Sequence, residues 1–209
     1  MSDLTHRLMA LAISIAILNG CVVGGRKVRY SNPTMDDPAI PAHHVKWTPV
    51  DRMFILNAVA VYVYPANEIN EADVIVFPYP SSTSVPHNVA RPFTVGVGFK
   101  PSQPGFSIDI SQIRLLGFGP EGITAARIIG PTECSADHHS ADWRSAPVTC
   151  IPLPEGICTS FSLSFELDTP DPSAAFAVEL GGATLDGVPY AIPAIQFHDK
   201  HRVDPIGAP

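Results

Sequence analysis

The sequence predicts an all-β protein, an antiparallel β-sandwich of the immunoglobulin-like or a related type. Three observations predict it. Proline contributes 22 of 209 residues, about twice its usual share of ~5%, and proline breaks helices and central strands. Short apolar stretches recur with turn residues between them, which predicts about eight or nine strands. Several of these stretches alternate apolar and polar residues, which is the period of a strand with one buried face.

The chain begins with a segment typical of export. A short polar start with one arginine, Arg7, precedes an apolar run from Leu8 to Leu18. This run has the length of the apolar region of a signal peptide, ~7–15 residues, whereas a bilayer span requires ~20. Residues 1–20 are therefore interpreted as a signal peptide, with an uncleaved membrane anchor as the alternative.

The residues that end this run, Leu18-Asn19-Gly20-Cys21, resemble the lipobox of bacterial lipoproteins. In that class the cysteine receives a diacylglyceryl group and becomes the first residue of the mature protein. Asn19 departs from the small or aliphatic residue usual at its position. The resemblance implies lipidation of Cys21 and, since Val22 follows rather than Asp, an anchor in the outer membrane that faces the periplasm. It implies no fold and no activity, and the alternative is an ordinary secreted protein.

Residues 21–45 are interpreted as a lipidated tether, because glycine and proline punctuate them and little there could pack. Arg26, Lys27 and Arg29 lie close to the presumed lipid. They could contact anionic headgroups, or they could be a solvated basic cluster. A single domain is expected over 46–198, followed by a flexible tail over 199–209.

The strands of the domain follow from local patterns. In the stretch 53–64 both the odd- and the even-numbered positions are mostly apolar, which is typical of a strand covered on both faces. A short helical turn is expected near 65–72. A Ser/Pro-rich loop is expected over 81–92, and a break in the alternation near Ser111. Strands are predicted at 53–64, 73–77, 93–100, 106–110, 113–115, 123–129, 160–168, 176–180 and 188–197.

Turn residues organise the end of the domain. Asp186-Gly187, between apolar residues, is the signal of a two-residue hairpin. Pro189 and Pro193 then predict that the last strand lies at a sheet edge, since proline cannot donate a ladder hydrogen bond.

The cysteines that follow Cys21 are Cys134, Cys150 and Cys158. An oxidising compartment permits disulfides, and three thiols form one bridge and leave one cysteine over. The pairing Cys134–Cys150 is favoured, because it closes a polar loop. The alternative is Cys150–Cys158, which would staple a hairpin.

The charge and the motifs exclude several function classes. A net charge of −7 and a pI near 5.5 argue against nucleic acid as a partner, because phosphate binding requires clustered Lys and Arg. No phosphate-binding loop and no serine nucleophile motif is present, and no cofactor is expected. Imidazoles next to carboxylates suit Zn or Cu, and the candidate ligands are His138, His139, His198 and His201. The alternative is that they are solvated loop residues.

The sequence as a whole favours a non-enzymatic envelope lipoprotein that acts as a structural or binding module. A sandwich of this kind binds through its end loops or by adding a strand at an edge. The 134–150 loop and the last strand are the expected binding elements, and an envelope protein is the expected partner. The alternatives are a periplasmic metal-binding protein that uses the loop histidines, and a hydrolase of cell wall or polysaccharide.

Overall fold

The computed structural model describes residues 24–35, 46–48, 53–75, 89–134 and 150–205. Within these ranges the regular structure is sixteen strands and one short 3-10 helix at Ile110–Gln112. The strands are β1 (Gly24–Thr34), β2 (Lys46–Thr48), β3 (Met53–Ile55), β4 (Val59–Pro65), β5 (Ile69–Ile75), β6 (Phe93–Pro101), β7 (Phe106–Ile108), β8 (Ile113–Leu116), β9 (Ile123–Thr124), β10 (Arg127–Glu133), β11 (Ile151–Pro152), β12 (Thr159–Phe165), β13 (Phe176–Leu180), β14 (Ala183–Leu185), β15 (Val188–Pro189) and β16 (Ile195–Pro205).

The strands form three antiparallel sheets. One sheet has the order β5-β1-β16-β13-β8-β9, the second has the order β10-β12-β6-β4-β3-β2, and a small third sheet has the order β11-β7-β14-β15. The second is called the central-β6 sheet below. The predicted all-β antiparallel fold with a sandwich-like arrangement is confirmed. Its immunoglobulin-like form stays a prediction.

The core lies between the first sheet and the central-β6 sheet. Phe176 of β13 stacks on Phe197 of β16, with ring centroids 4.8 Å apart, and meets Phe93 of β6 edge-on at 5.9 Å. Phe93 belongs to one sheet and the other two rings belong to the other, so aromatic side chains join the layers. Each such ring contributes about 1.5–3 kcal/mol through burial.

The turn at Asp186-Gly187 and the break near Ser111 lie where the sequence predicts them. Asp186 and Gly187 both have positive φ, at 52° and 78°, and Leu185 lies opposite Val188. These are the features of the predicted two-residue hairpin turn.

The expected break near Ser111 is the 3-10 helix. The Asp109 carboxylate caps this helix by accepting a hydrogen bond from the backbone N of Ser111 at 3.1 Å. The side-chain hydrogen bond from Ser111 lowers the pKa of that carboxyl.

The helical turn expected near 65–72 is wrong. Ala66 donates its backbone N–H to Thr94 at 2.9 Å, so the chain stays on β6. Asn67 is buried, and its Nδ2 donates to Ser31 Oγ at 2.8 Å and to the Pro170 carbonyl at 3.3 Å. These long-range bonds fix a bend between β4 and β5 that local composition does not reveal, and β5 begins at Ile69.

Two segments assigned to a tether and a tail contain long strands. β1 begins at Gly24 and pairs with β5, and Val28 is only 2% exposed. β16 continues to Pro205 and lies between β1 and β13, so it is not the predicted edge strand. Charged residues in both segments conceal the strands at the sequence level. Pro189 does lie at an edge, on β15, and residues 36–45 and 206–209 lie outside the described ranges.

The chain divides into two compact units. The larger unit comprises 30–68 and 87–200 and contains the core described above. The smaller unit comprises 1–29, 69–86 and 201–209, and its described part is the first half of β1, all of β5 and the end of β16. The larger unit covers most of the predicted domain.

Candidate functional site

The site that the structure builds best is the outer face of the central-β6 sheet. Strand registry places residues of β4, β6, β12 and β10 side by side in two adjacent rows. We call these rows the hydroxyl face. The first row is Tyr62, Gly98, Ser160 and Thr132; the second is Tyr64, Gly96, Ser162 and Ile129.

Strand β4 contributes the two tyrosines because it is buried on one face only. Val59, Val61 and Val63 point into the core, whereas Tyr62 is half-buried and Tyr64 is 42% exposed. The sequence predicted a strand covered on both faces over 53–64, and this is wrong. The stretch is also interrupted after Ile55, where the backbone N of Leu56 donates to the Val59 carbonyl at 2.9 Å and turns the chain.

In the first row, the Tyr62 ring covers Gly98 of the neighbouring strand. A Cβ atom on Gly98 would overlap the Tyr62 ring, so the ring can occupy this place only beside a glycine or after a shift. The Tyr62 side chain reaches across β6 and hydrogen-bonds with Ser160 on β12. Burial raises the pKa of Tyr62, and the Ser160 hydrogen bond only partly offsets this effect. Tyr62 therefore stays protonated at neutral pH.

Hydroxyl groups continue the row to the sheet edge. Ser160 Oγ and Thr132 Oγ1 lie 2.8 Å apart, and Ser160 Oγ also donates to the Thr132 carbonyl at 3.3 Å. Three strands are thus joined by side chains on the outer face, from Tyr62 through Ser160 to Thr132. Such a network orients its donors and acceptors before any ligand arrives.

The second row is more open than the first. A Cβ on Gly96 would meet the Tyr64 carbonyl at 3.7 Å, an ordinary contact, so no ring covers this glycine. Ser162 is half-buried beside it, and Tyr64 leaves 42% of its surface exposed. The row offers an aromatic side chain, a hydroxyl and a bare stretch of backbone.

The two rows of the hydroxyl face present hydroxyl groups, tyrosine rings and exposed backbone. Hydroxyls and an aromatic ring are amphipathic and are common at surfaces that recognise polar ligands. The sequence placed Ser160 and Ser162 on a water-facing side, but the cross-strand alignment with glycines and tyrosines was missed. The recurrence of small or aromatic residues at alternate positions of three strands was the available signal.

The disulfide lies at one end of the same strand pair. Glu133 of β10 lies opposite Thr159 of β12, so the next residues outward are Cys134 and Cys158. The Cα atoms of these cysteines are 5.2 Å apart, and they form a disulfide. Both pairings considered from the sequence are wrong. The pairing of β10 with β12 brings Cys158 beside Cys134, and the chain after Cys150 pairs with β7 instead.

Cys150 is the free thiol within the described ranges. It is exposed, and its Sγ lies 3.0 Å from Ser107 Oγ. Ser107 in turn lies 2.7 Å from Thr184 Oγ1 on the neighbouring strand. Cys21, the predicted lipidation site, lies outside the described residues.

The candidate metal ligands are not brought together in the part of the chain that is described. His198 and His201 lie on β16 and are both exposed. His138 and His139 lie outside the described residues, as does most of the loop expected to bind a partner. No group of three or more potential ligands occurs among residues 24–35, 46–48, 53–75, 89–134 and 150–205. A metal site that includes His138 or His139 stays a prediction.

Comparisons with known proteins add no family. The chain matches no family model, and no curated protein or solved structure is significantly similar to it. Within the described ranges, no helix is long and apolar enough to cross a membrane.

Proposed function

We propose that this chain is a cell-envelope lipoprotein, anchored through Cys21 in the outer membrane, whose β-sandwich is a non-enzymatic binding module on the periplasmic side. The observation that carries the proposal is the position of Leu18-Asn19-Gly20-Cys21 at the end of an apolar run of signal-peptide length. Two or more acyl chains would give stable anchoring, where a single chain is marginal.

The disulfide supports the export of the chain. Disulfides persist in oxidising compartments and are rare in the cytosol. Cys134 and Cys158 lie opposite one another at the end of a ladder, with their Cα atoms 5.2 Å apart, so they would form a disulfide in an oxidising compartment. This support is independent of the leader sequence, because it depends on the folded domain.

The hydroxyl face supports the binding part of the proposal. It presents an exposed ring from Tyr64, a half-buried hydroxyl from Ser162, and the pre-ordered pair of Ser160 and Thr132. Hydroxyl groups beside tyrosine rings are hydrogen-bonding and apolar groups side by side, and this chemistry supports recognition of a ligand. An envelope component that offers hydrogen-bonding groups is the expected partner.

The anchor is tested by the intact mass of the protein from a bacterial membrane fraction, taken with and without thiol alkylation under non-reducing conditions. We expect a chain that begins at Cys21, carries acyl groups and accepts one alkyl group, at Cys150. The matched control is Cys21→Ser, which should carry no acyl group. A wild-type mass without lipid, with Cys21 alkylated, would contradict the anchor.

A further inference from the structure

The first strand begins much closer to Cys21 than it would if residues 22–45 were an extended tether. Gly24, the first residue of β1, lies three positions after Cys21. Three extended residues span at most about 11 Å, whereas a tether over 22–45 would reach about 80 Å. Acyl groups on Cys21 would therefore hold the start of β1 within about 11 Å of the bilayer surface.

The segment held at that surface is basic, although the protein is acidic. The first half of β1, from Gly24 to Arg29, contains three Lys or Arg residues and no acidic residue. In a chain that begins at Cys21, the smaller unit has four Lys or Arg residues and three acidic residues, Glu71, Asp73 and Asp204, whereas the larger unit has eight basic and 16 acidic residues. The larger unit therefore carries the negative charge, and the smaller unit is close to neutral with a local positive segment.

The structure places the end of β16 in the same unit as this basic segment. The sheet order places β1 between β5 and β16, and the end of β16 adds His201, Arg202 and Asp204 to the smaller unit. Val28 and Ile69 are buried, at 2% and 7% exposure. Lys27, Arg29 and Arg202 are half-buried and His201 is exposed. The smaller unit therefore combines buried apolar residues with partly exposed Lys and Arg side chains, and in its ladder Arg26 lies opposite Asp73 of β5.

We propose that the smaller unit, residues 24–29, 69–75 and 201–205, is a membrane-contacting surface whose occupant is the anionic headgroup layer of the bilayer that holds the anchor. The proposal rests on the lipoprotein function proposed above. Each Lys or Arg beside an anionic surface strengthens association about fivefold, and the effect falls off within a Debye length. A span of at most about 11 Å between Cys21 and Gly24 keeps the first basic residues near that distance.

The test uses the acylated protein, extracted from membranes and reconstituted in nanodiscs that carry a small fraction of lipid with a gadolinium-chelating headgroup. Discs of zwitterionic lipid alone are compared with discs that contain roughly one-third phosphatidylglycerol. We expect amide signals of 24–29 and 201–205 to broaden more on the anionic discs. About 0.5 M salt should reverse the difference, because it shortens the Debye length to a few ångströms.

Charge variants provide the matched comparison. Arg26→Gln/Lys27→Gln/Arg29→Gln should abolish the difference between the two kinds of disc. The control Lys100→Gln/Arg114→Gln/Arg127→Gln, which removes three exposed bases of the larger unit, should preserve it. The salt arm requires no variant, so it decides the question even where a variant fails to fold.

The outcomes separate the two proposals. Equal broadening on both kinds of disc, or a difference insensitive to salt, would overturn the headgroup contact and leave the anchor intact. A protein without acyl groups by mass would overturn the anchor and, with it, this inference.

Discussion

The two faces of the central-β6 sheet use alternate residues of the same strands and have opposite chemistry. On the inner face, Phe93, Val95, Val97 and Phe99 of β6 are all 0% exposed. On the outer face the same strand offers Gly96 and Gly98 between tyrosines and serines. One face excludes water and stabilises the fold, and the other places oriented hydroxyls at the surface. Alternation in the sequence therefore separates the core from a polar outer surface within single strands.

The largest expected effect is on the inner face. Phe99→Ala should reduce the free energy of unfolding by about 3–5 kcal/mol, since it removes a fully buried ring and leaves a cavity. Chemical denaturation measures the change. The matched outer-face variant is Ser162→Ala, which should change the stability by less than about 0.5 kcal/mol. Similar losses for the two variants would contradict the division between the faces.

The next effect concerns the edge strand β10, whose side chains are mostly half-buried or exposed. Its ladder with β12 ends in the disulfide, which closes a loop with a sequence separation of 24. Cys134→Ser/Cys158→Ser should reduce the unfolding free energy by about 3 kcal/mol. Cys150→Ser, at the exposed free thiol, should leave stability unchanged. A stability loss in the Cys150 variant alone would contradict this pairing.

A smaller effect is expected where the two outer rows differ. Gly98→Ala should destabilise by about 1–3 kcal/mol, because its Cβ would overlap the Tyr62 ring. Gly96→Ala should cost less, since its nearest contact is 3.7 Å away. The double variant Gly98→Ala/Tyr62→Ala isolates the cause. Its stability should match that of Tyr62→Ala, and additive losses in a double-mutant cycle would show that the ring is not responsible.

The smallest effect is expected at high pH. Burial raises the pKa of Tyr62 above its ordinary value of 10.0. The unfolded chain therefore releases this proton first. The stability conferred by the neutral phenol is complete below about pH 10 and is lost as pH rises through the folded pKa. Tyr62→Phe should show a shallower decrease in unfolding free energy between about pH 9 and pH 11. Identical slopes in the two proteins would mean that Tyr62 titrates normally.

Local signals predicted the elements whose pattern is local. The alternation from Phe93 to Phe99 predicts β6, and Asp186-Gly187 predicts the hairpin between β14 and β15. Both follow from a period of two and from turn chemistry, which need only neighbouring residues. The faces of β12 follow in the same way, with Phe161 inward and Ser160 outward.

Other features depend on pairings between distant residues and were missed for that reason. β1 and the end of β16 contain charged residues, and they are strands because they pair within the first sheet. The Cys134–Cys158 disulfide follows only from the pairing of Glu133 with Thr159. The hydroxyl face likewise requires the registry of four strands. This registry brings together Tyr62 and Ser160, which are nearly half the chain apart in sequence.

The central proposal is that the outer face is the surface through which the domain acts. The most direct test places a photo-crosslinking amino acid at Ser162 in the full chain, in living cells, with Glu179 as control. Glu179 is exposed on β13, in the other large sheet. We expect a discrete crosslinked product from position 162 and none from position 179. Membrane-attached, folded protein that forms no crosslink at 162, or equal crosslinks at both positions, would contradict the claim.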